Sequence, residues 1–218
     1  MATRIALPNG STFQIAATFG AAKPITAISN ANPAVATSAA HGLIDGDFVL
    51  LEAAWGRLDG RAVRVADQDT DTFTLENINT TDTAFYPVGS NTGKFQEVLT
   101  MTEITKITGV TTSGGEQQFL TVGYLADDDD RQYPTNRNPI SMQLTVEDQP
   151  TAAYVSVVEG FTDSKQQTVA ILTLPNKDQI VYPGFVSITD TPTLERNALM
   201  TRTITFSLSG RPVRYLAA

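Results

Sequence analysis

The sequence predicts a mainly β protein, a β-sandwich or barrel with one packed α-helix and a small inserted β-domain. Three observations predict it. Apolar and polar residues alternate with period two in several stretches, only one stretch places apolar residues at helical spacing, and residues 24–93 hold short strands and Gly-Asp turns of their own.

Residues 5–17 read as a leading arm and strand. Within 24–93, strands are predicted at 48–52, 61–66 and 72–76. They are separated by Asp45-Gly46-Asp47, Asp59-Gly60 and the segment 67–71. An insertion with these bounds leaves residues 1–23 and 94–218 to form one discontinuous main domain. There, the runs 96–108 and 117–125 flank a Gly-rich stretch, 109–115, which predicts a long hairpin with a mobile tip. Ile140, Met142, Leu144 and Val146 alternate with polar residues, the pattern of a half-buried strand. Tyr154, Val157, Val158 and Phe161 fall at i, i+3, i+4 and i+7 and predict the helix, with Pro150 in its first turn and Gly160 near its far end. Its valines are weak helix formers, so packing onto a sheet must hold it. Strands follow at 169–174, 179–182 and 185–188, with turns at Pro175-Asn176-Lys177-Asp178 and Pro183-Gly184. Ile204, Phe206 and Leu208 alternate through the last strand.

Composition narrows the function. The 218 residues contain no cysteine, which excludes disulfides, thiolate metal sites and a cysteine nucleophile. No apolar run approaches the ~20 residues of a membrane helix, and no signal-peptide pattern opens the chain, so no membrane anchor is expected. Charged residues make up 17%, below the typical ~25%, and Thr, Ser, Gln and Asn replace them. Polar but weakly charged surface suits burial against other copies, because an unpaired buried charge is costly. It equally suits a Thr-rich β protein with uncharged outer faces. The net charge of −8 argues against affinity for a nucleic-acid backbone.

No constellation for catalysis emerges. His41 is the single histidine; Ser38, Asp45 and Asp47 lie too close in sequence on one loop to form a triad, and no Gly-x-Ser-x-Gly elbow is present. One histidine without cysteine makes a zinc site improbable. Asp67, Asp69 and Asp71 alternate without the glycine and distal glutamate of a calcium loop, and four consecutive aspartates, Asp127, Asp128, Asp129 and Asp130, do not supply that pattern either. Trp55 and Phe85-Tyr86-Pro87 form either the core of the small domain or an aromatic platform for sugar. No cofactor is expected, and no enzyme.

Two features of the chain carry a likeness to known proteins. Thr37-Ser38-Ala39-Ala40-His41-Gly42-Leu43, Gly46-Asp47-Phe48-Val49, Leu58-Asp59-Gly60-Arg61 and Asp71-Thr72-Phe73-Thr74-Leu75 resemble a small β-module that recurs in phage virion proteins. The chain departs from its commonest form in Asp59, where Asn is usual, and in an insertion-like stretch at 52–57. The overall order of elements is similar to the tail-tube proteins of siphophages, related in fold to contractile tail tubes and type VI secretion tubes. That resemblance implies hexameric rings stacked into a hollow tube, a conduit for DNA ejection, with the module outside. It also implies tape-measure and other tail proteins as partners, double-stranded DNA passing without specific binding, and a place in a virion assembled in the host cytoplasm. Rival readings are a tail terminator, a baseplate or capsid-decoration subunit, or a carbohydrate-binding adhesin domain.

Three regions are the expected assembly contacts. They are an N-terminal arm (Met1, Arg4, Leu7), the Gly-rich tip (Gly109, Thr111, Ser113, Gly115, Gln117) and the loop from 126 to 138 (Arg131, Tyr133, Arg137). Asp127, Asp128, Asp129 and Asp130 are candidates for lumen-facing or inter-ring electrostatics, against the plainer reading of a solvated loop.

Overall fold

The computed structural model describes residues 9–126 and 128–217. In chain order these form β1 (Thr12–Phe19), β2 (Lys23–Ile25), β3 (Ala27–Ile28), β4 (Ala34–Thr37), β5 (Phe48–Ala53), β6 (Ala62–Ala66), β7 (Thr72–Leu75), β8 (Gly93–Ile104) and β9 (Ile107–Ser113). Then follow β10 (Gln117–Val122), β11 (Arg131–Arg137), β12 (Ser141–Glu147), the helix α1 (Ala153–Ser164), β13 (Thr168–Thr173), β14 (Gln179–Ile188), β15 (Thr201–Leu208) and β16 (Val213–Tyr215). The protein is mainly β with one helix on a curled sheet, as the alternation predicts.

One sheet runs in the order β3-β4-β7-β6-β5-β8-β1-β13-β14-β15-β12-β9, with β2 paired to β8 and β16 to β14; β10 and β11 pair only with each other. The middle of this sheet is covered on both faces. Ile15 of β1 and Ala170 of β13 join Tyr154, Val155 and Val158 of the helix in one core, with Met142, Leu144, Val146, Ile204 and Phe206. Ala16 of β1 and Val169 and Ile171 of β13 point the other way, into a smaller core with Ala62, Val181 and Tyr215. Four successive residues of β13, from Thr168 to Ile171, are therefore buried, where a strand with one wet face would alternate. A third core gathers side chains between Ile25 and Phe95, among them Trp55, Leu58, Phe73 and Tyr86.

The helix stands where its apolar stripe predicts, but its limits differ. Pro150 lies ahead of the N-cap Ala152, outside the helix, and Gly160 sits inside it with open space around. The helix stops at Lys165, which takes a left-handed conformation (φ 54°), a C-cap that glycine more often fills.

Two turn assignments are overturned. Residues 179–182 and 185–188 belong to one strand, β14, and Pro183-Gly184 is not a turn. Gly184 is needed because β15 passes so close that a Cβ would overlap the Ser207 carbonyl. Pro183 falls between the residues paired with β16 and those paired with β15, a gap where the lost N–H disrupts no ladder, and its carbonyl accepts from the Ser209 N–H (3.0 Å). The Gly-rich stretch 109–115 is not a hairpin tip. Its first five residues lie in β9 and pair with β12, and runs 96–108 and 117–125 do not meet. The long hairpin exists elsewhere, as described below.

The C-terminal strand ties two of these cores together. Tyr215 is fully buried, meets Phe48 edge to face at 6.2 Å, and its hydroxyl accepts from the Arg64 N–H (3.0 Å). The Arg64 guanidinium crosses the Tyr215 ring and grips both Glu76 oxygens, at 2.6 and 2.7 Å. Two residues on, the Ala217 N–H and then the Arg214 guanidinium hold the Asp178 carboxyl below its ordinary range.

Burial pushes the Tyr215 hydroxyl up to about 12 from 10.0. The folded state then keeps a proton that the unfolded chain releases, so this stability is intact below pH 10 and is lost between pH 10 and about 12. Urea midpoints measured across that window should fall, and Tyr215→Phe should remove a part worth about 2–3 kcal/mol of the fall.

Candidate assembly site

The residues between β9 and β12 form an arm. At its root β9 pairs with β12 from Ile107 to Ser113 and from Ser141 to Val146, and the same register resumes at Gln117 opposite Arg137 after a short break. The break is made by Gly114 and Gly115, both at φ +85°, with the Gly115 N–H donating to the Asn138 carbonyl and the Asn138 N–H to that of Glu116. Beyond it β10 and β11 run on alone, with one register shift between Gln117 and Phe119, to a tip at 123–130. Six residues at about 3.4 Å each carry this ribbon about 20 Å past the root.

The ribbon leaves apolar side chains in water on both of its faces. Phe119 opposes Pro134 and the next pair, Leu120 and Tyr133, points to the other face. Phe119 and Leu120 are each 55% exposed, Tyr133 44%, and Leu125 at the tip is fully exposed. Tyr124 is exposed too, with the Arg131 guanidinium 5.6 Å from its ring centroid. A two-stranded ribbon without a packed face is marginal in water by itself. At the root, β9 ends the large sheet, and no strand among the described residues pairs with its outer edge.

The structure thus joins two of the three expected contact regions. Gly109, Thr111 and Ser113 lie on the edge strand β9, opposite Thr145, Gln143 and Ser141. Gly115 is in the break, Gln117 opens β10, and Arg131, Tyr133 and Arg137 lie on β11. Asp128, Asp129 and Asp130 sit exposed at the tip. Met1, Arg4, Leu7 and Asp127 lie outside the described residues. Phe119, Leu120, Tyr124 and Leu125 are missed by the sequence reading. Their apolar alternation signals a strand, and nothing local signals that neither face is covered.

The other candidates have structural duties. His41 is buried against Phe73, its Nδ1 accepts from the Leu43 N–H (3.0 Å), and its Nε2 faces the Asp69 carbonyl (2.7 Å). With Nδ1 accepting, the proton rests on Nε2 and is donated to that carbonyl, so both nitrogens serve backbone groups. Asp47 accepts from the Ile44 N–H, Asp59 from that of Ala53 and Asp71 from that of Ala40, so the residues of the recurring cadence act as turn formers. Trp55 and Tyr86 are buried edge to face, and the Trp55 indole donates to the Pro87 carbonyl. Phe85 stays half exposed beneath the Arg57 guanidinium. No group of three or more metal-ligating side chains occurs among the described residues, and no helix of these is long and apolar enough to cross a membrane.

Fold and surface define a structural β protein with a protruding arm. Residues 53–217 match the model of the family described as phage tail tube protein, TTP, and this chain belongs to that family. It is a structural protein of the phage tail and not an enzyme. No curated protein matches the chain.

Gly114 is the residue on which the arm's direction rests, since a Cβ there would overlap the Pro139 carbonyl and its φ suits glycine alone. Gly114→Val should lower stability in urea by at least ~1–3 kcal/mol. Gly109→Ala, at a position with open space and no positive φ, should change it by less than ~0.5 kcal/mol.

Proposed function

We propose that this chain assembles with itself into closed hexameric rings that stack into a hollow tail tube, the conduit for DNA ejection. The arm is the observation that carries this reading. A ribbon with apolar side chains exposed on both faces gains its cover from neighbouring copies, at roughly 25 cal/mol for each Å² of apolar surface removed from water. Arm and edge strand differ from one another, so contacts through them are heterologous. Such contacts close into rings or continue as filaments, depending on the rotation between copies.

Two further features support the reading. The edge of β9 offers a backbone ladder for strand addition. The net charge of −8 per copy disfavours adhesion of DNA phosphates to the tube wall. Residues 24–93 are, in this proposal, an inserted module carried on the outside. The core between Ile25 and Phe95 supports that division. Tape-measure and other tail proteins are the partners at the ends of the tube.

The test is to remove the arm. Replacing residues 118–136 by Asn-Gly closes the hairpin at the Gln117–Arg137 pair with a two-residue turn. Concentrated wild-type protein should show hollow filaments or stacked rings by negative-stain electron microscopy. The shortened variant should keep its β-type circular dichroism and remain monomeric, and filaments from it would refute the role given to the arm.

A further inference from the structure

Positive charge without a partner collects beside the root of the arm. Arg61, just ahead of β6, has a buried Nε with no hydrogen-bond partner, and its side chain lies against Gly210. Burial, more than any neighbour, draws the Arg61 pKa below its ordinary value, and the charge of Arg211 acts in the same direction. Arg211 itself makes no hydrogen bond or ion pair among the described residues. It lines a groove of about 390 Å³ together with Arg137, Asn138, Ser209 and Gly210. The Arg137 Nε donates to the Gln117 amide oxygen (3.2 Å), a neutral acceptor. The carboxylate nearest in the bonding network, Glu116, accepts from Asn138 (3.4 Å) and leaves the groove with an excess of cations.

The matching negative charge is at the other end of the same arm. Asp128, Asp129 and Asp130 are exposed on the tip. The β10–β11 ladder holds that tip about 20 Å from its own root, so a chain cannot fill its groove with its own aspartates. A second copy can.

We propose that the Asp128, Asp129 and Asp130 tip of one copy seats in the Arg137–Arg211 groove of the next, with Arg61 behind it. The inference rests on the self-assembly argued above and names the place where the arm docks. Each copy then gives one tip and receives one. Charge-assisted bonds in a partly desolvated groove are stronger than exposed pairs, and they supply the anion that the arginines lack.

Charge reversal of the full-length chain tests it. Asp128→Lys with Asp129→Lys and Asp130→Lys makes a tip variant; Arg137→Glu with Arg211→Glu makes a groove variant. Each alone should lose assembly at least tenfold in sedimentation velocity, with unchanged circular dichroism. Mixed together they should co-assemble in alternation, because a lysine tip then meets a glutamate groove and an aspartate tip an arginine groove. Failure of the mixture to recover, or normal assembly of either variant alone, would overturn the docking and leave the tube reading standing. A groove variant that assembles normally but no longer retains duplex DNA would assign the arginines to phosphate instead. If wild-type protein never assembles, the tube reading falls, and the docking with it.

Discussion

β1 and β13 are buried on both faces, and the placement of the helix and of the C-terminal strand follows from that. A strand pair in the middle of a sheet can present apolar residues at every position only if something covers each side. The helix covers one, through Tyr154, Val155 and Val158, and the other is closed by Ala62, Val181 and Tyr215. Remove either cover and part of Thr168–Thr173 faces water. The weak intrinsic helicity of a segment rich in valine matters little under this constraint, because the helix is held by what it covers.

The same logic explains the C-terminal strand. β16 is three residues long, far too short to persist through its ladder alone. It is kept by Tyr215, by the Arg64 guanidinium lying across it, and by Asp178 gathering Arg214 and the Ala217 N–H. β14 makes room by changing partner at Gly184, from the short strand to β15. The rest of the sheet is thus anchored around a strand that serves three neighbours in ten residues.

The arm is the reverse case, a ribbon whose side chains stay largely exposed among the described residues. Its polar backbone is paired, which keeps the ladder formed, while its apolar side chains remain in water. That combination is costly for a monomer and useful for a tube subunit, since the free energy withheld during folding is available on assembly. Charge is divided in the same way, with exposed aspartates at the tip and, at the root, arginines that pair with no carboxylate among the described residues.

The β class, the single helix and most strands with one wet face were legible in the amino-acid pattern, because period and turn chemistry are local properties. β12 and β15 were legible from their alternation, and the strands of 48–76 from the Gly and Asp residues between them. Where glycine and proline mean a turn was settled by packing between segments distant in sequence. Pro183-Gly184 is strand because β15 approaches its backbone, and most of 109–115 is strand because β12 pairs with it, and neither neighbour is near in sequence. Long-range pairing also merged two expected contact regions into one arm and set Arg61 beside Arg211. Those juxtapositions come from long-range pairing, which hydrophobic pattern alone does not encode: the alternation in β10 reads the same whether its faces meet a core or water.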